Sequence, residues 1–220
     1  MVRVAHVSKT FAEGPVVAGV LTDVTFVLPR GRTTSLVGES GSGKSTLVAI
    51  LAGLMLPDSG SISFDGSDVT SVDDATHARL RAQRIGVVLQ GSNLIAFLTA
   101  AENVELAMRL AGGERRRPRA AALLADLGLA HRADHLPRHM SGGEAQRVAL
   151  AVGLANDPDL LLADEVTGEL DAATAEHVMD VIDRQASHRA LTVLFTTHSP
   201  DLAARAQHRL RLVDGQVRPS

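Results

Sequence analysis

Near the start of the chain, Gly38-Glu39-Ser40-Gly41-Ser42-Gly43-Lys44-Ser45 follows the pattern G-x-x-x-x-G-K-[ST], an arrangement suited to holding phosphate. The glycines let backbone N–H groups turn inward around an anion, and a helix opening at Lys44 adds the positive end of its dipole. Lys44 would reach β- and γ-phosphates. Ser45, with Thr46 beside it, would place a hydroxyl on magnesium, a hard cation that prefers oxygen ligands. Of the 22 basic residues only Lys9 and Lys44 are lysines. A position that keeps lysine in so arginine-rich a chain needs a compact, flexible ammonium instead of a planar fork.

Two carboxylates end the apolar run Leu160-Leu161-Leu162-Ala163-Asp164-Glu165. A buried strand there would deliver Asp164 to its carboxyl end, where ligands sit in open α/β sheets. Asp164 would then hold magnesium, directly or through water, and Glu165 would orient and deprotonate an attacking water. Two other apolar runs end at Gln90 (IGVVLQ) and at His198 (TVLFTTH). As a set with the cradle, His198 becomes a γ-phosphate contact and Gln90 a magnesium or water ligand. A further motif, Ser141-Gly142-Gly143-Glu144-Ala145-Gln146-Arg147, precedes the helical VALAVGLAN. Ser141 and Glu144 form an S-x-x-E capping box, and the paired glycines leave bare N–H groups that an anion can approach closely.

The elements that must position these groups are legible in outline. The first third reads as short strands at 2–7, 21–28, 33–38 and 60–66, the last with an Asp65-Gly66 turn. A helix from Lys44 to Leu54 interrupts them, and a buried strand follows at 85–90. From about Leu94 to Asn156 the pattern is helical, with a Thr99/Glu102 capping box, Pro118 at a helix start and Gly128 at a stop. Strands return at 160–164 and 191–198, with helices starting after Asp171 and at Ser199-Pro200 and a closing hairpin around Asp214-Gly215. The expected fold is α/β with an inserted helical lobe.

Composition narrows the class. At 220 residues the chain suits one unit, and 45% hydrophobic with 21% charged residues lies in the ordinary globular range. Zero cysteines exclude disulfides and thiolate metal sites, and a net charge of -3 gives no global pull toward nucleic acid or anionic lipid. No apolar run approaches the ~18 residues of a membrane span, and the start lacks the apolar core of a signal peptide, so a cytosolic location is expected. No internal repeat occurs; the Arg-rich stretch 112–119 reads as a solvated loop and helix start.

Taken in order, these motifs resemble the nucleotide-binding subunit of an ATP-binding-cassette (ABC) transporter. Gly38 to Ser45 matches Walker A, Gln90 the Q-loop, Ser141 to Arg147 the signature, Leu160 to Glu165 Walker B, Gly168 to Asp171 the D-loop and His198 the switch histidine. The resemblance implies a P-loop NTPase core of RecA-like type with an N-terminal antiparallel β part (1–91 and 157–220). It also implies a helical subdomain at 92–156. Phe11 stands where the family places an adenine-stacking aromatic; on its own it reads equally as a core residue. SNLIAFLTAAENVELAM and DEVTGELD resemble the MacB, LolD and FtsE-like branch, whose permeases work by mechanotransmission. Implied cofactors are ATP and Mg2+, and the implied location is the cytoplasmic side of the membrane. The implied partners are a second copy or a similar ATPase, joined head to tail, and a separate permease docking near Gln90–Leu98, where Leu94, Ile95, Phe97 and Leu98 suggest a groove. The Ser141 hydroxyl and the Gly142 and Gly143 amides would contact the partner's γ-phosphate, Glu144 and Asp171 would belong to the nucleotide-binding set, and Glu169 would stand near the dimer interface. Met140, Val152, Val166 and Glu169 depart from the family pattern without removing a catalytic group. A soluble ABC-type ATPase, an ATP-sensing module and a small-molecule kinase are the rivals. Phosphate release without an acceptor separates the kinase, and turnover measured with the permease separates the sensing module. Soluble ATPases of the family usually need a long coiled-coil insertion or a second cassette, neither of which is read in this sequence.

Overall fold

The computed structural model describes residues 1–13, 16–91, 93–113, 116–168 and 170–219. Two long strands, β1 (Val2–Glu13) and β2 (Val16–Leu28), pair antiparallel. Both outrun the short strands predicted from the apolar pattern. That pattern breaks at His6, where φ is 55° and the pairing register shifts between Val4 and Val7. A bulge of this kind changes which residues face the core without ending the backbone ladder. After β3 (Thr33–Val37), the helix α1 (Lys44–Leu51) and β4 (Ser59–Phe64), the short β5 (Ser67–Asp68) completes a first sheet in the order β2-β1-β4-β5.

A helix that the apolar pattern does not predict follows, α2 (Asp74–Gln83). It buries only His77, so it carries no apolar stripe; its local sign is Asp73, whose carboxylate accepts the Thr76 N–H at 2.8 Å. The chain continues through β6 (Ile85–Val88), α3 (Ala100–Leu110), α4 (Arg116–Asp126) and α5 (Gly142–Leu154). It then adds β7 (Leu160–Ala163), α6 (Ala172–Arg189), β8 (Thr192–Thr196), α7 (Pro200–Ala204), β9 (His208–Val213) and β10 (Gln216–Pro219).

The second sheet runs β10-β9-β3-β8-β7-β6, parallel except for the β9–β10 hairpin. Every residue of β7 and β8 is buried, which explains their unbroken apolar runs: helices or strands cover both faces of a parallel sheet. Leu160, Leu162 and Leu194 pack with α1 and the first sheet, while Leu161, Val193 and Phe195 pack with α5 and α6. Two Asp-Gly turns close hairpins as expected, with positive φ at Asp65, Gly66, Asp214 and Gly215. No helix among the described residues is long and apolar enough to cross a membrane.

Candidate nucleotide site

Parallel register brings four chain segments to one edge of the second sheet. Leu36 lies opposite Thr196, Phe195 opposite Ala163, and Ala163 opposite Val88. The glycine-rich loop leaves that edge after β3, Asp164 and Glu165 after β7, His198 after β8 and Gln90 after β6. The last two strands are shorter than predicted, so Gln90 and His198 stand two residues beyond them, free of the ladder.

The loop itself is close-packed. Gly41 and Gly43 hold φ of 77° and 102°, backbone angles that side chains resist. A Cβ at Gly38 would stand 2.7 Å from the Leu212 carbonyl and the Ser42 hydroxyl. Lys44 is 5% exposed, and its ammonium donates to the Gly38 and Glu39 carbonyls, each at 2.9 Å. Neutral carbonyls alone compensate a buried cation poorly. The Ser42 hydroxyl is buried with no partner. An under-neutralised ammonium and an orphaned hydroxyl, both in a loop at a helix start, fit a phosphate chain. Glu39 and Ser40 are exposed on the loop, and in the first turn of α1 Ser45 is exposed and Thr46 half-buried.

The acid pair is held by a neighbouring strand. Asp164 is 2% exposed, and its Oδ1 accepts the Thr196 hydroxyl at 2.7 Å. That same oxygen of Thr196 accepts the Glu165 backbone N–H at 2.8 Å, where Glu165 has φ of 52°. The Glu165 carboxylate accepts Gln90 Nε2 at 3.1 Å and is paired with His198 Nε2 at 2.5 Å. Three residues predicted from separate segments therefore meet at one carboxylate. Thr196 escaped the sequence reading; its only sign is a hydroxyl inside an apolar run. Among the described residues no group of three or more His, Cys, Asp or Glu is placed to hold a metal. One carboxylate (Asp164) with one hydroxyl (Ser45) still suits magnesium, which is commonly held by one or two carboxylates plus substrate phosphates and water.

The remaining predicted residues sit elsewhere. Ser141 caps α5, taking the Glu144 N–H at 3.2 Å, while Glu144 takes the Ser141 N–H at 2.9 Å and Arg132 Nε at 2.8 Å. These donors, the Ser141 amide first, hold the Glu144 carboxyl below its ordinary range. Its carboxylate is thus engaged in the helix start, with Gly142 exposed and Gly143 half-buried beside it. Asp171 caps α6 through the Thr174 hydroxyl at 2.6 Å and amide at 3.0 Å, which lower its pKa in turn. Among the described residues no hydrogen bond joins 141–144 to the glycine-rich loop of the same chain. Phe11 lies on β1, 39% exposed, with Lys9 Nζ 5.7 Å from its ring centre. Lys9 also binds Asp58 at 2.7 Å. Met140 and Val152 pack on the core, and Val166 is buried, so these three departures are accommodated as apolar contacts. Glu169 lies outside the described residues.

A cleft of about 500 Å³ opens between α2, β6, α3 and α5, lined by Leu54, Arg81, Leu89, Asn93, Leu110 and Val152 among others. Of the predicted groove residues only Phe97 projects, at 80% exposed; Leu94 packs on the core, and the Ile95 and Leu98 carbonyls are tied down by Asn103.

A glycine-built phosphate loop and an acid pair at the carboxyl edge of a parallel sheet, with a helical insertion between β6 and β7, define a P-loop ATPase of the α/β class. The model of the ABC transporter family matches residues 21–168, and the chain belongs to that family as an ATP-binding cassette. It is similar to the uncharacterized ABC transporter ATP-binding protein YbbA of Escherichia coli (strain K12), at 46% identity over 219 residues covering 99% of this chain and 96% of that one. It is also similar to the macrolide export ATP-binding/permease protein MacB of Syntrophobacter fumaroxidans, at 40% identity over 223 residues covering 100% of this chain and 31% of that one. A dimeric, post-hydrolysis structure of the ATP-binding cassette MJ0796 bound to ADP and Pi matches with a TM-score of 0.95 at 37% identity, covering 99% of this chain and 96% of that one.

Proposed function

We propose that this chain closes head to tail with a second copy, or with a similar cassette, over two ATP molecules, and that closure and reopening drive a separate membrane permease. The observation that carries this reading is the cradle, where the buried Lys44 ammonium has only backbone carbonyls for company. The β- and γ-phosphates of ATP replace those carbonyls as its partners, and the loop amides with the Ser42 hydroxyl take the remaining oxygens. Ser45 and Asp164, with Gln90 directly or through water, would hold Mg2+, which when bound neutralises charge on the phosphate oxygens. Glu165 orients a water toward the γ-phosphorus and takes its proton, the water oxygen bonds to phosphorus, and the bond to the ADP oxygen breaks with its electron pair leaving on ADP. Gln90 and His198, already on the two carboxylate oxygens, aim Glu165; when ATP arrives, His198 turns to the γ-phosphate and Gln90 to the magnesium or its water.

The motif at 141–143 completes the site across the dimer. In this reading it belongs to the helical lobe (92–156) of a single unit spanning 1–220; among the described residues it shares no hydrogen bond with its own cradle, and its bare amides suit a partner's γ-phosphate, as in the dimeric MJ0796 cassette. Glu144 supports that surface as a cap, Asp171 lies at the interface, and Phe11 stacks on adenine. Hydrolysis then moves the dimer because ATP favours the closed state over the open one. The cleft lined by Leu54, Asn93 and Leu110, with Phe97 four residues past Asn93, receives an apolar helix of the permease. MacB, whose name joins ATP-binding and permease functions, supports that pairing. The chain then works peripherally, on the cytoplasmic side of the membrane, without nucleic acid.

The test is Glu165→Gln with ATP and magnesium. Loss of a general base lowers turnover by about 10²–10⁴-fold, and the variant should accumulate as an ATP-bound dimer in light scattering. A monomer that hydrolyses ATP at the wild-type rate would refute the proposal.

A further inference from the structure

We infer that Thr196 is a positioning residue for hydrolysis: one buried hydroxyl sets both the Asp164 carboxylate and the backbone of Glu165. The inference rests on the reading of Asp164 and Glu165 given above. A threonine hydroxyl offers one donated hydrogen and two accepting lone pairs. Here the hydrogen goes to Asp164 Oδ1 at 2.7 Å and a lone pair takes the Glu165 N–H at 2.8 Å. Among the described residues, no other hydrogen bond reaches that carboxylate or that amide. Sheet register makes this possible. Ala163, the last residue of β7, lies opposite Phe195, so Asp164 just beyond β7 meets Thr196 at the end of β8.

Each bond has a separate consequence. The bond to Oδ1 fixes the rotation of the Asp164 carboxylate, leaving Oδ2 to face a cation, while the Asp164 N–H is held by the Val88 carbonyl at 2.8 Å. Partners of this kind orient a ligand and tune its metal affinity. The bond to the Glu165 amide holds a non-glycine residue at φ of 52°, an uncommon angle that the surrounding structure must impose. That angle aims the Glu165 side chain at Gln90 and His198. Thr196 is fully buried, and its β-branch stiffens it on the strand, so the hydroxyl does not wander to water. Thr197 serves a different bond, accepting the Ser199 amide at 3.1 Å.

Thr196→Val keeps the shape and removes both bonds; Thr196→Ser keeps the bonds. In nucleotide-free protein, hydrogen exchange at the Glu165 amide should quicken at least about tenfold in the valine variant and stay near wild type in the serine variant. The magnesium concentration that half-saturates binding of a fluorescent ATP analogue should rise about 10–100-fold in the valine variant, with metal-free binding within about twofold. If valine does not fold, Thr196→Ala gives the same two readouts. Unchanged exchange with unchanged magnesium dependence overturns the inference, as does equal impairment of the valine and serine variants. Asp164→Asn separates the two layers: if it leaves the magnesium requirement intact, the metal assignment fails, and the Glu165 exchange still decides the role of Thr196.

Discussion

Replacing Gly86 by alanine tests how tightly the helix carrying the 141–144 motif is bound to the strand leading to Gln90. Gly86 on β6 faces Gly153 on α5, and a Cβ at position 86 would lie 2.1 Å from the Gly153 carbonyl oxygen. The obstacle is backbone, so α5 must retreat by about 0.9 Å to reach the 3.0 Å that real Cβ atoms respect. Because the obstacle is backbone, overpacking takes the upper part of its range, about 2–3 kcal/mol, offset by about 0.4–1 kcal/mol from the narrower unfolded ensemble of alanine. At about 2–4 °C per kcal/mol for a chain of this size, Tm should fall by roughly 2–10 °C in calorimetry. The cradle packs with the other core cluster, so ATP affinity of the single chain should stay within about twofold. On the proposed head-to-tail dimer turnover should fall, because the displaced helix would carry Ser141 to Gly143 away from a partner's phosphate. A Tm within 1 °C of wild type would refute the packing argument. A lowered Tm with full turnover would refute the link between this contact and the composite site.

Acid sensitivity gives a second prediction. The Lys9 ammonium, with the Thr10 hydroxyl and amide, lowers the Asp58 pKa from 3.8 to about 2. A depressed carboxyl stabilises the fold above its unfolded pKa and loses that contribution as pH falls toward about 2. Tm measured between pH 4 and 2 should therefore fall more steeply in wild type than in Asp58→Asn; parallel acid limbs would contradict the pairing. Phe97→Asp changes an 80% exposed side chain, so stability should move by no more than about 0.5 kcal/mol and ATP binding should persist, while copurification of the proposed permease is lost. Unchanged copurification would remove Phe97 from the docking surface.

What the sequence determined by itself was whatever short-range chemistry decides. The phosphate loop spans contiguous residues and needs only glycine freedom plus a helix start, and the same holds for the caps at Thr99, Ser141 and Asp171 and for the two Asp-Gly turns. Continuous apolar runs announced the buried parallel strands, although β6 and β8 end two residues before the runs do because Gln90 and His198 leave the ladder. Tertiary structure decided the rest. Helix α2 has no apolar stripe to announce it, and the bulge at His6 hides the length of β1 and β2. Gln90 meets Glu165 across 75 positions, and Thr196 meets Asp164 across 32. No local pattern encodes these meetings. They follow from which strands lie side by side and in what register, and that is settled by burying both faces of one sheet at once, a property of the whole chain and not of any segment.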